Sequence, residues 1–191
     1  TSTPKYKLLT QRLKRVVKKS IKYIVDSLKY SDFEVLGNEV EFKNGKQYDT
    51  IKYKLDNGKS VEITGKIDRI DIGEFGGNKY IRIIDYKSSV KDIDLEEVYA
   101  GVQLQLLTYL DAVCEKENVL PAAVLYFNLI DNIVKSNNKL TEEEIKDKIR
   151  EQFRMKGLIL ADVDIIKMMD TNLLDGSKSK IIPANLNKDG T

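Results

Sequence analysis

Two carboxylates and a lysine interrupt an otherwise apolar stretch of this sequence. Residues 65–89 read GKIDRIDIGEFGGNKYIRIIDYKSS, and Asp68, Asp85 and Lys87 lie there among isoleucines. Two neighbouring carboxylates repel each other and resist ionisation unless a cation compensates them. Mg²⁺ prefers one or two carboxylates completed by water and phosphate oxygens. A lysine beside it can help to position and deprotonate a metal-bound water, or stabilise charge that builds on a phosphate. These residue types therefore indicate phosphate chemistry at a divalent metal ion.

The register of the hairpin decides whether these side chains meet. We expect a tight turn at residues 75–78, where two glycines permit positive φ, so that Glu74 faces Lys79. On one face this register pairs Ile72 with Ile81, Ile70 with Ile83, Asp68 with Asp85 and Lys66 with Lys87, and on the other it pairs Asp71 with Arg82, Arg69 with Ile84 and Ile67 with Tyr86. A slip of one residue would destroy the isoleucine pairs, so the pattern favours this register. It places the two aspartates opposite each other, with Cβ atoms about 5 Å apart.

The three charged residues alone also fit a simpler structure. Asp68 and Lys87 would then form a diagonal ion pair at a strand end, with Asp85 in solvent. The helix that follows favours the metal site, because Gln105 and Tyr109 lie four residues apart and share a helix face. Their polar ends would reach the substrate or orient the aspartates. The alternative for this pair is a tyrosine that packs in the core with its hydroxyl satisfied.

Composition excludes several kinds of chemistry. The 191 residues suffice for one domain with a real core, and no apolar run approaches the roughly 20 residues of a membrane-spanning helix. The chain has no histidine and one cysteine, Cys114, in an apolar helical pattern. A histidine-based triad, an imidazole zinc site, a cysteine-built metal site and an internal disulfide are therefore excluded within this chain. Carboxylates, lysine, tyrosine and amides remain.

Basic residues are concentrated at the start of the chain. The net charge is only +2, but the first 22 residues contain no acid. Their cations are Lys5, Lys7, Arg12, Lys14, Arg15, Lys18, Lys19 and Lys22. This basic helix face is interpreted equally well as a solvated surface or as a surface that contacts phosphates.

Periodicity and turn signals predict a mixed β-sheet flanked by helices. The predicted elements are a helix over 6–30, a strand over 33–42, a hairpin around Asn57-Gly58, the hairpin over 65–89, a long helix over 94–118, a strand over 121–131, a helix over 142–156 and a short helix over 161–170. Asp94 with Glu97 and Thr141 with Glu144 form capping-box patterns, and Gly157 is suited to end the helix before it. Gly101 within the long helix suggests the close approach of another backbone.

The ordered motifs GKIDRID, IIDYKSS and GVQLQLLTYL resemble the RecB-like branch of the PD-(D/E)xK nuclease superfamily, and within it the AddB-type nuclease domains. The resemblance covers residues 39–111, and residues 154–170 are also similar. It implies a restriction-endonuclease-like α/β core over residues 1–191, as a single nuclease domain. It implies that Asp68, Asp85 and the backbone carbonyl of Tyr86 bind Mg²⁺ or Mn²⁺, and that Lys87 is the catalytic lysine. Gln105 and Tyr109 become a supporting pair near the DNA, and Glu39 matches a glutamate of the AddB-type pattern.

The implied function is a Mg²⁺-dependent DNA exonuclease domain of a cytoplasmic bacterial ATP-dependent helicase–nuclease, which processes double-strand breaks for recombination. Its expected partners are DNA and an AddA-like A subunit. The chain opens without methionine and ends in a polar tail, so we expect a fragment of a longer protein. Two alternatives stay open: a Cas4-like exonuclease of CRISPR adaptation, and a catalytically silent module that binds DNA or docks a subunit.

Two features depart from the family pattern. The family commonly adds an acidic or histidine metal ligand from a helix near the start of the domain, and this chain has no histidine and no secure substitute. AddB-type domains also carry an iron–sulfur cluster on cysteines that flank the nuclease core. Cys114 lies in the wrong place for such a ligand, so the cluster is expected in the parent protein and not in this chain.

Overall fold

A computed structural model describes residues 3–130, 136 and 138–190. The elements are α1 (Pro4–Lys29), β1 (Glu34–Phe42), β2 (Ile51–Lys54), β3 (Ser60–Ile63), β4 (Gly65–Phe75), β5 (Asn78–Lys87), α2 (Leu95–Tyr99), α3 (Gln105–Glu117), β6 (Leu120–Asn128), α4 (Glu142–Gln152), β7 (Lys156–Ile159) and α5 (Val163–Met169). The first helix, both hairpins, the strand that begins near residue 121 and the short last helix are confirmed. Residue 131, the predicted end of that strand, lies outside the described residues. None of the described helices combines the length and hydropathy that a membrane crossing requires.

Five strands form a mixed sheet in the order β1-β4-β5-β6-β7. β5 and β6 run parallel, and the other neighbours are antiparallel. A parallel pair needs a crossover connection, and α2 with α3 provide it here. β2 and β3 form a separate two-stranded sheet immediately before β4. The predicted mixed sheet flanked by helices is therefore confirmed.

Each face of the sheet has its own hydrophobic core. On one face α3 contributes Leu106, Tyr109, Leu110 and Val113, which pack with Ile70, Ile81 and Ile83 of the central hairpin. On the other face α5 contributes Ile165, Ile166, Met168 and Met169, which pack with Ile84, Leu125 and Phe127. The hairpin that carries the candidate site is thus buried from both sides, which fixes its strands.

The basic helix α1 packs only through its C-terminal half. Ser20 and Ser27 are its buried residues, whereas every residue from 4 to 15 is exposed. Apolar side chains of this helix are also about half exposed, among them Leu13 at 55% and Ile21 at 55%. Contact of its cations with phosphates stays a prediction.

The predicted long helix over 94–118 is wrong as a single element. α2 ends at Tyr99 and α3 begins at Gln105, with Gly101 at φ 78° between them. Gly101 ends α2 because glycine adopts positive φ without a steric penalty. A Cβ at this position would meet nothing nearer than Leu104 at 4.0 Å, so the predicted close approach of another backbone is also wrong.

The capping predictions have different outcomes. Thr141 and Glu144 form the predicted capping box at the start of α4. Asp94 caps α2 by accepting a hydrogen bond from Glu96 N–H, but its own N–H donates to Gln103 and not to Glu97.

The predicted helix end at Gly157 is wrong. α4 ends at Gln152, and Gly157 lies within β7 at φ 135°. A Cβ at Gly157 would overlap the carbonyl oxygen of Val124 in β6. The glycine therefore permits close strand pairing at this edge of the sheet, and it does not terminate a helix.

Candidate active site

The predicted register of the central hairpin is confirmed up to the rung before the two aspartates. β4 and β5 pair from Phe75↔Asn78 to Arg69↔Ile84, where the regular ladder ends. Asp68, the residue before Arg69, lies where the two strands stop pairing. Its Oδ2 accepts a hydrogen bond of 2.8 Å from the backbone N–H of Tyr86. The carboxylate of Asp68 thus takes the place of a backbone acceptor and is held beside β5.

The alternation of side chains changes at the same point. Ile67 was predicted to face Tyr86, but Ile67 packs in the core on the α3 face, with Ile70 and Ile83. Tyr86 packs against the opposite core. The predicted direct opposition of Asp68 with Asp85 and of Lys66 with Lys87 is therefore not part of the observed ladder. The prediction was wrong here because the regular pleat of β4 does not continue through Asp68.

Asp85 is a buried carboxylate, 7% exposed. Its Oδ2 lies 2.7 Å from Lys87 Nζ. No other donor among the described residues contacts that oxygen. Burial raises the pKa of Asp85 and the charge of Asp68 adds to this effect, while Lys87 partly offsets it. Asp85 is therefore a carboxylate whose negative charge is incompletely compensated.

Lys87 is the accessible charge of the group. Its side chain is 34% exposed, and Nζ lies 5.8 Å from the centre of the Tyr126 ring. Burial lowers the pKa of Lys87, but the neighbouring Asp85 outweighs burial, so the net shift is upward. The ammonium consequently stays protonated at neutral pH. In this state it can donate to a water or a phosphate oxygen.

Gln105 and Tyr109 lie together on α3, as predicted. Gln105 Nε2 donates to the Tyr109 hydroxyl at 3.2 Å. The tyrosine is 3% exposed and stacks on Phe42 at 5.1 Å between ring centres. A Cβ at Gly65 would overlap the Tyr109 hydroxyl. The tyrosine is thus a core residue with a satisfied hydroxyl, the alternative that the sequence left open, and exposed Gln105 is the member of the pair that meets solvent.

Glu39 lies beside the interrupted rung of β4. Its neighbours Asn38 and Val40 pair with Arg69 and Ile67, so Glu39 takes the position across from Asp68. It adopts φ 56°, which is uncommon for a residue other than glycine, and its exposed side chain forms an ion pair with Lys66. The structure therefore brings Glu39 near Asp68 along the sheet, with its carboxylate engaged elsewhere.

A buried ion-pair triad behind the site was only half predicted. Asp71 was expected to face Arg82, and Arg82 Nε does donate to Asp71 Oδ2 at 2.8 Å. Arg69 also binds the same carboxylate, through Nε and Nη2 at 2.6 Å each. All three side chains are at most 3% exposed. The signal for the second contact was the two-residue spacing of Arg69 and Asp71, which places both on one face of a strand.

The residues present fit a small hard cation. Within residues 3–130, 136 and 138–190, no group of three or more His, Cys, Asp or Glu side chains is arranged to hold a metal. Two carboxylates remain, which suits Mg²⁺ because this ion keeps several waters and takes phosphate oxygens from its substrate. The buried Oδ2 of Asp85, contacted by Lys87 alone among the described residues, is an acceptor that such an ion could share.

The one thiol, Cys114, packs against the core on the α3 face, as predicted. Burial raises the pKa of Cys114 to about 11, and the charge of Asp111 adds to this shift. The free thiol is therefore protonated at neutral pH.

Comparison with known proteins identifies relatives along the whole chain. The family profile of the PD-(D/E)XK nuclease superfamily matches residues 1–172. The B subunit of the ATP-dependent helicase/deoxyribonuclease of Clostridium acetobutylicum is 46% identical over 196 residues, and that of Clostridium novyi is 47% identical over 197 residues. The corresponding protein of Thermoanaerobacter sp. is 45% identical over 195 residues. Each match covers 100% of this chain but 17% of the relative, so the chain spans about a sixth of the length of these relatives.

Proposed function

Because the chain belongs to the PD-(D/E)XK nuclease superfamily, we propose that it is a metal-dependent DNA exonuclease domain of an AddB-type helicase–nuclease, acting on double-strand breaks during recombination. One observation carries this proposal. Asp68 and Asp85 lie at the end of the β4–β5 ladder, one held by the Tyr86 N–H and the other paired with Lys87. This arrangement leaves carboxylate charge at the edge of the fold where a phosphate and its cation would bind.

Each residue of the proposed site has a distinct role. Asp68, Asp85 and the backbone carbonyl of Tyr86 would hold Mg²⁺ or Mn²⁺, which supplies Lewis acidity and an activated water when bound. The Tyr86 N–H fixes the Asp68 carboxylate and so keeps it turned toward β5. The Lys87 ammonium, protonated beside Asp85, would donate to the attacking water or to a phosphate oxygen.

Two further residues would support the reaction from α3. Gln105 is exposed and fixed by its hydrogen bond to Tyr109, so its amide oxygen is positioned for a donor on the substrate. Tyr109 would act as a positioning residue, because its ring is buried and its hydroxyl fills the space above Gly65. We assign Glu39 only a minor supporting role, because its carboxylate pairs with Lys66.

The relatives guide the proposal for the whole protein. They are named as B subunits of ATP-dependent helicase/deoxyribonucleases, and this chain matches 17% of their length. We therefore propose that the chain works beside an AddA-like subunit on DNA in the bacterial cytoplasm, within a protein that also holds an iron–sulfur cluster. Relatives of that length favour this assignment over a small Cas4-like exonuclease of CRISPR adaptation. The intact Asp68, Asp85 and Lys87 disfavour a silent docking module.

Digestion of linear DNA by the full-length helicase–nuclease complex tests the proposal. We expect Asp85→Ala and Lys87→Ala to abolish the digestion contributed by this domain in Mg²⁺ or Mn²⁺. Two matched controls remove the same charges elsewhere: Asp56→Ala in the β2–β3 turn, and Lys79→Ala at the far end of β5. Covalently closed circular DNA should resist wild type, because an exonuclease needs an end.

The outcomes separate the possible errors. Digestion at the wild-type rate by both site variants would show that the site assignment is wrong. Cleavage of closed circles that requires Asp85 would retain the site and replace the exonuclease by an endonuclease.

A further inference from the structure

Tyr99 lies in solvent on the connection between β5 and α3, the two elements that carry Lys87 and Gln105. Its side chain is 96% exposed, the highest value among the exposed large hydrophobic residues of the described chain. Leu95, one turn earlier on α2, is 64% exposed, and Val102 just after the helix is 72% exposed. A tyrosine offers a large, rigid apolar ring with a polar tip, which suits contact with a partner. We call the segment 88–104, which connects β5 to α3, the α2 platform.

The α2 platform is fixed internally by one side chain. Gln103 Oε1 accepts a hydrogen bond from Asp94 N–H at 3.2 Å, and Gln103 Nε2 donates to the Glu97 carboxylate. The side chain of Gln103 thus links the start of α2 to the segment just before α3. Positive φ at Gly101 allows the chain to turn back for this contact. Tyr99 is therefore presented by a closed and hydrogen-bonded turn.

The α2 platform is also attached to the proposed site at both ends. It leaves β5 directly after Lys87, and Lys91 is bound to Asn128 by two hydrogen bonds of 2.8 and 3.1 Å. Asn128 is the residue that pairs with Lys87 between β5 and β6. The platform meets α3 at Gln105, six residues after Tyr99, which limits the distance between the Cα atoms of Tyr99 and Gln105 to about 20 Å. A bound strand of a few nucleotides would span that distance.

Three of the four acidic residues of the α2 platform are engaged in contacts of their own, and the fourth, Glu96, is exposed. Asp94 caps α2, Glu97 is bound by Gln103, and Asp92 lies 3.8 Å from Lys156. The surface around Tyr99 offers little attraction for phosphates. A nucleic acid would therefore meet Tyr99 through a base and not through its backbone, and such stacking tolerates any base because every base has a π-face.

We propose that Tyr99 is a stacking residue for an unpaired base of the DNA strand that enters or leaves the proposed active site. The inference rests on the proposed nuclease function and deepens it, because it specifies an unpaired strand as the bound form. DNA is favoured over a protein partner because the α2 platform is continuous with Lys87 at one end and Gln105 at the other. We expect stacking on Tyr99 to strengthen substrate binding equally in the ground state and in the transition state.

Kinetics of the full-length complex on a single-stranded linear oligonucleotide test the proposal. Tyr99→Ala should raise KM about 5-fold to 100-fold with kcat unchanged, the effect of losing one stacked base. Tyr99→Phe keeps the ring and should stay within about 2-fold of wild type. Tyr53→Ala removes a tyrosine that is 44% exposed on β2 and serves as the matched control. An oligonucleotide with 2-aminopurine near its end should show fluorescence quenching on binding to wild type and less on binding to Tyr99→Ala.

The result that overturns the proposal differs from the result that overturns the nuclease assignment. An unchanged KM for Tyr99→Ala, in a complex whose digestion requires Asp85, eliminates the stacking role and keeps the nuclease. Loss of association with the A subunit in Tyr99→Ala would identify the α2 platform as a protein contact and would also overturn stacking. If wild type digests DNA no faster than Asp85→Ala, both the nuclease assignment and the stacking role of Tyr99 are overturned.

Discussion

The hydroxyl of Tyr109 fills the space that a side chain at residue 65 would need. A Cβ on Gly65 would overlap the hydroxyl oxygen and lie too close to the ring carbon that bears it. The first residue of the GKIDRID motif and the last residue of the Q-x-x-x-Y pair are therefore a packing unit between β4 and α3. This contact sets how near α3, and with it Gln105, lies to the strand that carries Asp68.

Replacing this glycine should displace the tyrosine. We expect Gly65→Ala to destabilise the protein by about 1–3 kcal/mol, the usual cost of overpacking a core. Tyr109→Leu should be destabilising on its own but should remove the clash. Urea denaturation of both single variants and the double variant measures the coupling. Purely additive effects would show that the two residues do not share this space.

Removal of the charge of Asp85 should increase the stability of the folded protein. Burial raises the pKa of this carboxyl above its ordinary value of 3.8, so ionisation in the folded state costs free energy. The extra stability of the protonated form is fully present below pH 3.8 and is lost as the pH rises through the folded-state pKa. Asp85→Asn, measured in EDTA, should therefore be more stable than wild type at about pH 7 and equal to it near about pH 3. A stability difference that does not change between these pH values would contradict the prediction.

Divalent metal should stabilise wild type through the two aspartates. A ligand that binds only the folded state at about 100 times its Kd adds about 2.7 kcal/mol. We expect Mg²⁺ or Mn²⁺ to raise the Tm of wild type and to leave that of Asp68→Asn and Asp85→Asn unchanged. Asp56→Asn removes an exposed carboxylate from the β2–β3 turn and should respond as wild type does. An equal metal response in all four proteins would place the ion elsewhere.

Removal of the one anion of the buried triad should destabilise the folded protein. Asp71 accepts hydrogen bonds from two arginines that are both inaccessible to water, so Asp71→Asn leaves two uncompensated cations. We expect a loss of about 3–5 kcal/mol in unfolding free energy. Glu62→Gln breaks an exposed pair with Lys52 and should cost less than about 1 kcal/mol.

A second variant separates charge from packing in the triad. Replacing all three members with Met, Leu and Met should recover most of the stability, because apolar residues of similar volume need no compensation. A triple variant as unstable as Asp71→Asn would mean that the arginines contribute shape and not charge balance.

The sequence predicted the structure where one signal was sufficient. The isoleucines at 70, 72, 81 and 83 determine the hairpin register, since a slip would turn them toward the opposite face. The capping box at Thr141 was readable because two side-chain contacts within four residues determine it. The family motifs identified the superfamily, which the profile match over residues 1–172 confirms.

The predictions from sequence were wrong at two glycines, each of which could have had either of two structural roles. Gly101 was interpreted as a close-approach residue and Gly157 as a helix terminator, and the structure shows the opposite assignment in both cases. Positive φ and lack of a side chain are both properties of glycine, and the local sequence does not say which one is needed. The irregular pleat at Asp68 and the second arginine on Asp71 depend on neighbours in three dimensions. The roles of Asp68, Asp85, Lys87, Gln105 and Glu39 stay predictions until the variants are measured.

The Arg69–Asp71–Arg82 triad also constrains how this sequence can diverge. Because both buried guanidiniums bind the one buried carboxylate, loss of Asp71 leaves two buried cations without an anion, and a lineage that loses Asp71 should replace the arginines as well. Folding does not require the aspartates and lysine of the proposed site in the same way, since Asp85→Asn is expected to increase stability. A lineage that abandons DNA cleavage should therefore lose Asp68, Asp85 and Lys87 first, while the triad persists as a trace of its ancestry.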